Sequence, residues 1–423
     1  MEQRASAHTP PIHGSNNPLI HQSLYPVKTM TPPLHHSTTP FPTVRLFASA
    51  RSWIEGEALR QLYAAAKLDG VLLAVAFPDL HPGRGVPVGA AVVTEGVIYP
   101  HLIGGDIGCG MTLLKTDLIR RDVRLDRWAG LPFNLEHPWD QFVSDVLAEH
   151  DLESTEFDSA LGTIGGGNHF AELQAVEEVL DAGALKEFGL GKQQLAVLVH
   201  SGSRGLGESI LRAHAVQHFG DGVEVDSLAA EEYLRGHDFA VRWAKANRRL
   251  IARRFLAALG AEAECLWDGC HNSITPAPGF AAPLSHRMGE GAWAEAWVHR
   301  NGAVAADGEF VVIPGSRGSL AYLVKPVGDG ESHVWSLAHG AGRKWARSES
   351  RLRMRERFSP KQLVQTSLGG RVICEERSLL YEEAPAAYKN IEAVIQDLVD
   401  AGLISVIARF RPLLTYKTRK VRR

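Results

Sequence analysis

Apolar residues recur at helical spacing over 55–67, where Leu59, Leu62, Tyr63 and Ala66 fall on one face. Longer helical patterns predict helices over 207–218 and 228–259, and shorter ones over 140–150, 171–182 and 389–400. Continuous apolar runs predict buried strands at 71–77, 88–94, 195–199 and 310–313, with another at 403–416. A turn-rich loop, 78–85, is predicted between the first two strands. The 195–199 run leads straight into His200 and the 310–313 run into Pro314, each opening a Gly/Ser-rich segment. A strand feeding such a loop holds polar groups rigidly while letting backbone approach a ligand. Residues 1–42 lack this patterning and are rich in Pro, His, Ser and Thr, so they predict a disordered extension ahead of one ordered domain, 43–423.

Composition narrows the class. With 423 residues and 45% hydrophobic content the chain can build a large core. A net charge of −3 excludes wholesale coating of nucleic acid, leaving only local basic patches for that purpose. One such patch is the end, Lys417 to Arg423, although a terminal charge run is most often simply solvated. Four cysteines argue against a disulfide scaffold and for a reducing compartment. Neither a membrane-length apolar run nor a signal-peptide pattern is present, so the expectation is a soluble cytoplasmic protein without a membrane partner.

Candidate chemistry lies in glycine-flanked segments. Gly104 to Met111 sets Asp106 and Cys109 three residues apart in a glycine-dense turn, and Gly167-Asn168-His169-Phe170, His200 to Gly205, and Cys270-His271-Asn272 follow. Asp106, Cys109, His169, His200 and His271 offer carboxylate, thiolate and imidazole donors suited to borderline divalent ions. Five ligands including a thiolate able to bridge suit a pair of ions, as in sites that orient phosphoryl groups. The bland alternative, histidines capping loops and Cys109 as a buried hydrophobe, is weakened by five such residues in the same setting. Three further loops, 162–167, 315–319 and 340–343, can aim backbone N–H groups at anionic oxygens, though none is a Walker or Rossmann motif. His339, with Arg343 and Arg347 behind it, reads as a nucleophile toward phosphorus, a sixth ligand or a general acid/base.

In this order, Asp-Ile-Gly-Cys-Gly, Gly-Asn-His-Phe, His-Ser-Gly-Ser-Arg-Gly, His-Asn and His-Gly-Ala-Gly-Arg closely resemble the motifs of the RtcB family of RNA ligases, from about Val71 to Lys417. The resemblance implies an α+β single-domain fold around a deep dinuclear metal pocket. It implies a monomer that joins an RNA 3′-phosphate or 2′,3′-cyclic phosphate end to a 5′-hydroxyl end, consuming GTP with two manganese ions. Carried over by position, it makes Cys109 the bridging ligand, with Asp106 and His169 on one ion and His200 and His271 on the other. His339 becomes the residue that is guanylylated. Asn168, His169, Phe170, Ala171, Glu172, His271, Asn272, Pro314, Gly315, Ser316, Arg317, Gly340, Ala341, Gly342, Tyr388 and Lys417 fall at nucleotide-binding positions. Glu172 would accept from the guanine edge and Tyr388 would stack on it, while Arg204, Arg343 and Arg347 suit RNA phosphates.

Arg317 stands where most members carry methionine, and Ala321 where they carry a serine near the base. Nucleotide preference or affinity is therefore expected to differ. The versions Leu-Ile-Gly-Gly-Asp106, Gly-Thr-Ile-Gly-Gly-Gly-Asn168 and Pro-Gly-Ser-Arg317 resemble the subgroup coupled to release factor H, implying repair of RNA in stalled translation, with ribosome or tRNA as partner. Two rival readings remain: a two-metal phosphodiesterase acting on cyclic phosphate ends, and a non-catalytic protein that binds RNA ends.

Overall fold

The computed structural model describes residues 43–139, 141, 143–218, 221–277 and 296–420. The expected N-terminal extension, 1–42, lies outside the described residues, as do the last three of the basic C-terminus. Helices and β-sheets are mixed rather than alternating, an α+β architecture. An eight-stranded sheet runs in the order Val311–Pro314, Ala321–Pro326, Ile404–Thr418, Phe170–Val179, Gln194–Ser201, Gly110–Ile119, Ala263–Cys270, with Arg371–Cys374 paired beside Ile404–Thr418. A five-stranded sheet orders Thr43–Leu46, Val71–Pro82, Pro87–Glu95, Ala296–Asn301 and Asn272–Pro276. Among the described residues no helix is long and apolar enough to cross a membrane.

Register in the larger sheet positions the candidate ligands. Gly110 stands opposite both Ser201 and Cys270, and Phe170 opposite His200. Cys109, His169, His200 and His271, each at or beside one of those five positions, therefore reach one level at one end of the strands, although up to 162 residues separate them along the chain.

Helix Leu228–Leu259 crosses the back of this sheet. Ser227 caps its start by accepting from the Ala230 N–H, and Gly260, left-handed at φ +67°, ends it. Its 32 residues span about 48 Å at 1.5 Å per residue, and Trp243, Ala244, Ile251 and Phe255 pack inward. Gly108, at φ +74°, lies so close that a Cβ there would come within 2.9 Å of Ala244 Cβ and Val241 Cα. Only glycine lets the metal-side turn seat against the helix.

Most predicted elements appear: Gly56–Ala65, Gly205–His218, Leu228–Leu259 and Ile391–Asp400 as helices, and the strands near 88–94, 195–199, 310–313 and 403–416. The helix predicted over 140–150 is the shorter Val143–Glu149. Two readings are corrected. Residues 171–182 are not a helix; 171–179 lie in strand Phe170–Val179, whose Ala171 to Val176 are all buried between two neighbouring strands, and a helix begins only at Ala182. Helix-favouring Ala, Glu, Leu and Gln are overridden there by sheet pairing on both edges. The 78–85 loop is also strand as far as Pro82, with a register shift between Ala76 and His81 that lets Pro78 and Asp79 bulge out of the ladder.

Candidate active site

The five candidate ligands converge. Asp106 Oδ2 lies 3.0 Å from His169 Nε2, and Cys109 Sγ lies 3.5 Å from His169 Nε2 and 3.3 Å from His200 Nε2. His200 Nε2 in turn lies 3.3 Å from His271 Nε2. His169 Nδ1 lies 3.1 Å from the Ile164 carbonyl, a contact that would keep the ring proton on Nδ1 and free Nε2 once a cation replaced its contact with Asp106. Burial, with the neighbouring imidazoles adding repulsion, holds His200 and His271 well below the usual histidine range, so both rings are neutral donors. Burial first, then Asp106, pushes the Cys109 thiol up. Burial also works to raise the Asp106 carboxyl, but the hydrogen bond and charge of His169 hold it below its ordinary value. Three imidazole nitrogens and a thiol face one another at 3.3–3.5 Å, and this donor set fits divalent cations, whose binding would displace the thiol proton.

What holds these loops is the buried polar pair Asn247 and Arg248 on the long helix. Arg248 Nη1 donates to the carbonyls of Gly108 at 2.8 Å and Ser201 at 3.1 Å, the residues flanking Cys109 and His200. Its other donors are taken by Asp268 and by the Thr112 hydroxyl. Asn247 accepts from the Gly162 N–H at 2.7 Å and donates to the Gly202 carbonyl at 3.0 Å.

His339 stands beside this cluster, its ring centroid 4.8 Å from that of His271. Its Nδ1 lies 2.7 Å from Oδ2 of the fully buried Asp79, which also accepts from the His339 backbone N–H at 3.2 Å. With Nδ1–H donating to this carboxylate, Nε2 is left as the free nitrogen. Lys389 fixes the Asp79 bulge by donating to the Pro78 and Leu80 carbonyls at 3.0 and 2.6 Å, and burial lowers its ammonium to about 8. Gly342 is left-handed at φ +71°, and a Cβ there would strike the Asp79 carbonyl.

A cavity of about 420 Å³ opens over both groups. Asp106, Cys109, Asn168, His169, Phe170, Glu172, His200, His271 and Asn272 line it, with Pro314 to Arg317, His339 to Arg343, Arg347, Tyr388 and Lys417. Ala171 does not: strand alternation turns its side chain into the core behind the sheet, while Phe170 and Glu172 face the cavity. Burial raises the Glu172 carboxyl to about 7, against hydrogen bonds from Thr415 and Gln174. Arg317 is buried, donates through Nη2 to the Leu380 carbonyl at 2.8 Å, and has no partner for Nε and Nη1.

The far wall is a network of satisfied charges. Glu383 accepts from Tyr388 Oη and from Arg343 at 2.9 Å, and lies 3.6 Å from Lys417 Nζ. Lys417 donates to the Gly167 carbonyl at 2.8 Å. Burial opposes ionisation of Glu383, yet Lys417 and Arg343 pull its carboxyl down to about 2, and burial brings Lys417 down to about 8. Arg343, expected at an RNA phosphate, gives its N–H groups to Trp345, Glu383, Tyr388, Ser350 and Glu382. It braces the wall and stacks over Tyr388, 5.1 Å from the ring centroid. Arg204 lies outside the cavity lining, its backbone N–H donating to Asp106 Oδ1 at 3.3 Å. Arg347 stands exposed at the rim, 3.4 Å from Asn168 Oδ1.

Sequence reasoning missed Asp79, Glu383, Asn247, Arg248 and Lys389. Asn247 and Arg248 carried a signal, as polar residues at the inward phase of a long helix, whereas Asp79 stood in a Pro- and Gly-containing stretch that reads as a turn. Glu383, in an acidic pair after a short helix, carried none.

The protein-family model described as tRNA-splicing ligase RtcB matches residues 61–156 and 144–418. The chain is 43% identical over 375 residues to RNA-splicing ligase RtcB2 of Escherichia coli, covering 88% of this chain and 94% of that one. It is 29% identical to RNA-splicing ligase RtcB of Mycobacterium tuberculosis, covering 84% of this chain and 99% of the relative. To tRNA-splicing ligase RtcB of Thermococcus kodakarensis it is 28% identical, covering 84% and 90%.

Proposed function

The chain belongs to the RtcB family of RNA ligases, and we propose that it joins RNA 3′-phosphate or 2′,3′-cyclic phosphate ends to 5′-hydroxyl ends at the expense of GTP. The observation that carries this reading is His339, oriented by buried Asp79 and set beside a converging thiol–imidazole cluster. Cys109 with Asp106 and His169 would hold one manganese ion, and Cys109 with His200 and His271 a second. Bound divalent ions supply charge neutralisation on phosphoryl oxygens.

His339 Nε2 attacks the α-phosphorus of GTP; a P–N bond forms and pyrophosphate leaves. Asp79 holds the ring and balances the positive charge it gains. An oxygen of the RNA 3′-phosphate then attacks the same phosphorus, breaking the P–N bond. The 5′-hydroxyl attacks the activated 3′-phosphate, forming the phosphodiester and releasing GMP. A cyclic end is first opened by water to the 3′-phosphate. Glu172 accepts from the guanine edge, Tyr388 and Phe170 flank the base, and Lys417 and the 314–317 and 340–342 backbone face the phosphates. Arg347 at the rim meets RNA. The motif versions around Asp106, Asn168 and Arg317 favour RNA broken in stalled translation, alongside release factor H, as the physiological substrate; mapping the ends of RNAs that accumulate broken when the protein is absent tests that assignment.

Incubation with manganese and GTP labelled at the α-phosphate tests the covalent step. Label should become covalently attached in the wild type and disappear in His339→Ala. Label that never forms, or persists in the variant, would favour a phosphodiesterase or an RNA-end-binding role.

A further inference from the structure

Helix Arg347–Arg357 starts at the cavity rim with Arg347, and none of its later residues lines the cavity. It carries five arginines, Arg347, Arg351, Arg353, Arg355 and Arg357, against two glutamates, Glu349 and Glu356. Ser350 and Met354 face inward, Met354 within a small core cluster. At 100° per residue, Arg347, Arg351 and Arg355 stack at intervals of four along one flank of that buried line, and Arg353 and Arg357 lie along the other.

The two flanks differ at Arg353 and in where they start, since Arg357, like Arg355, has no ion pair among the described residues but only the flank of Arg347 begins at the cavity. Arg353 is tied to Glu349, and its guanidinium lies 4.8 Å from the Trp345 ring centroid. Arg351 approaches Glu382 only at 3.6 Å and is half-exposed, and Arg355 is exposed with no ion pair among the described residues. Eight residues separate Arg347 from Arg355, so this flank presents guanidinium groups over about 12 Å, leading away from the cavity. At the same spacing Glu349 and Glu356 fall on the side of Arg353 and Arg357, which leaves the flank that begins at the site uniformly positive.

We propose that Arg351 and Arg355 extend the site as a track for the phosphate backbone of the RNA strand whose end lies in the cavity. The inference rests on the RNA-joining reading and adds where the strand runs beyond Arg347. Guanidinium–phosphate pairing is independent of base sequence and releases counterions, so it leaves a signature in salt dependence.

The test compares two exposed double variants of equal charge change, Arg351→Gln/Arg355→Gln and Arg353→Gln/Arg357→Gln. Binding of a fluorescent single-stranded RNA bearing a 3′-phosphate is followed by anisotropy across a salt series, and labelling by GTP is followed in parallel. The first variant should bind several-fold more weakly at low salt, with a log–log slope shallower by about 1.4, roughly 0.7 per lost contact. The second should match wild type, and GTP labelling should be unchanged in both. Equal RNA binding by the two variants, a larger loss in the second, or a loss of GTP labelling in the first would overturn the track. Wild-type protein that neither binds the RNA nor takes label would overturn the parent reading, and the track with it.

Discussion

The two walls of the cavity solve opposite problems. On the metal side, imidazoles and a thiol are driven together at 3.3–3.5 Å with no cation of the protein's own among them. On the far side, Glu383, Lys417, Arg343 and Tyr388 are closed on one another, and each charge has a partner. The first wall is poised for a cation that must come from outside; the second is a finished scaffold against which a flat ligand can lie. His339 stands at the joint, next to His271 on one side and anchored by Asp79 beneath.

Breaking the joint should have the largest effect. Asp79→Asn keeps the shape but replaces the acceptor of the Nδ1–H, favouring the wrong tautomer. The rate of GTP labelling should fall on the order of a thousandfold, with metal content unchanged. A modest fall would mean that His339 is held some other way.

Loosening the metal wall from behind comes next. Arg248→Met, combined with Asp268→Asn so that no buried carboxylate is stranded, removes the clamp on Gly108 and Ser201. Metal affinity measured calorimetrically should weaken by roughly 10–100-fold, the range seen when groups supporting metal ligands are lost. The melting curve separates this from simple unfolding, and unaltered affinity would show that the loops hold themselves.

The satisfied wall should respond least. The Glu383 carboxyl lies at about 2 against an ordinary 4.5, so its contribution to stability is fully present above pH 4.5 and is lost as pH falls toward 2. Glu383→Gln should cost about 1.5 kcal/mol at neutral pH. It should also flatten the acid limb of the stability curve, measured by denaturant titration between pH 5 and pH 2. An unchanged acid limb would mean that the pair does not shape the wall.

The same contrast explains what was legible in the sequence. The metal side was readable because its donors sit in short glycine-flanked motifs whose local chemistry already implies an ion. The charged wall was not: Glu383, Arg343, Tyr388 and Lys417 have no shared local pattern, and only the fold brings them within reach. Asp79 was obscured because the run around it reads as a turn, when it is a bulged strand end. The 171–182 error has the same root, since pairing to strands at 194–201 and 404–418 decides that segment against its own propensity. For that reason Ala171, placed among the nucleotide contacts by position alone, turns out to be core.

The proposed two-ion site requires Cys109 to be shared between two cations. Manganese counting, with electron paramagnetic resonance on the loaded wild-type protein, addresses this directly. The expectation is two ions per chain with the spectrum of a magnetically coupled pair, and loss of both in Cys109→Ala. One uncoupled ion per chain, or a pair that survives removal of the thiol, would contradict it.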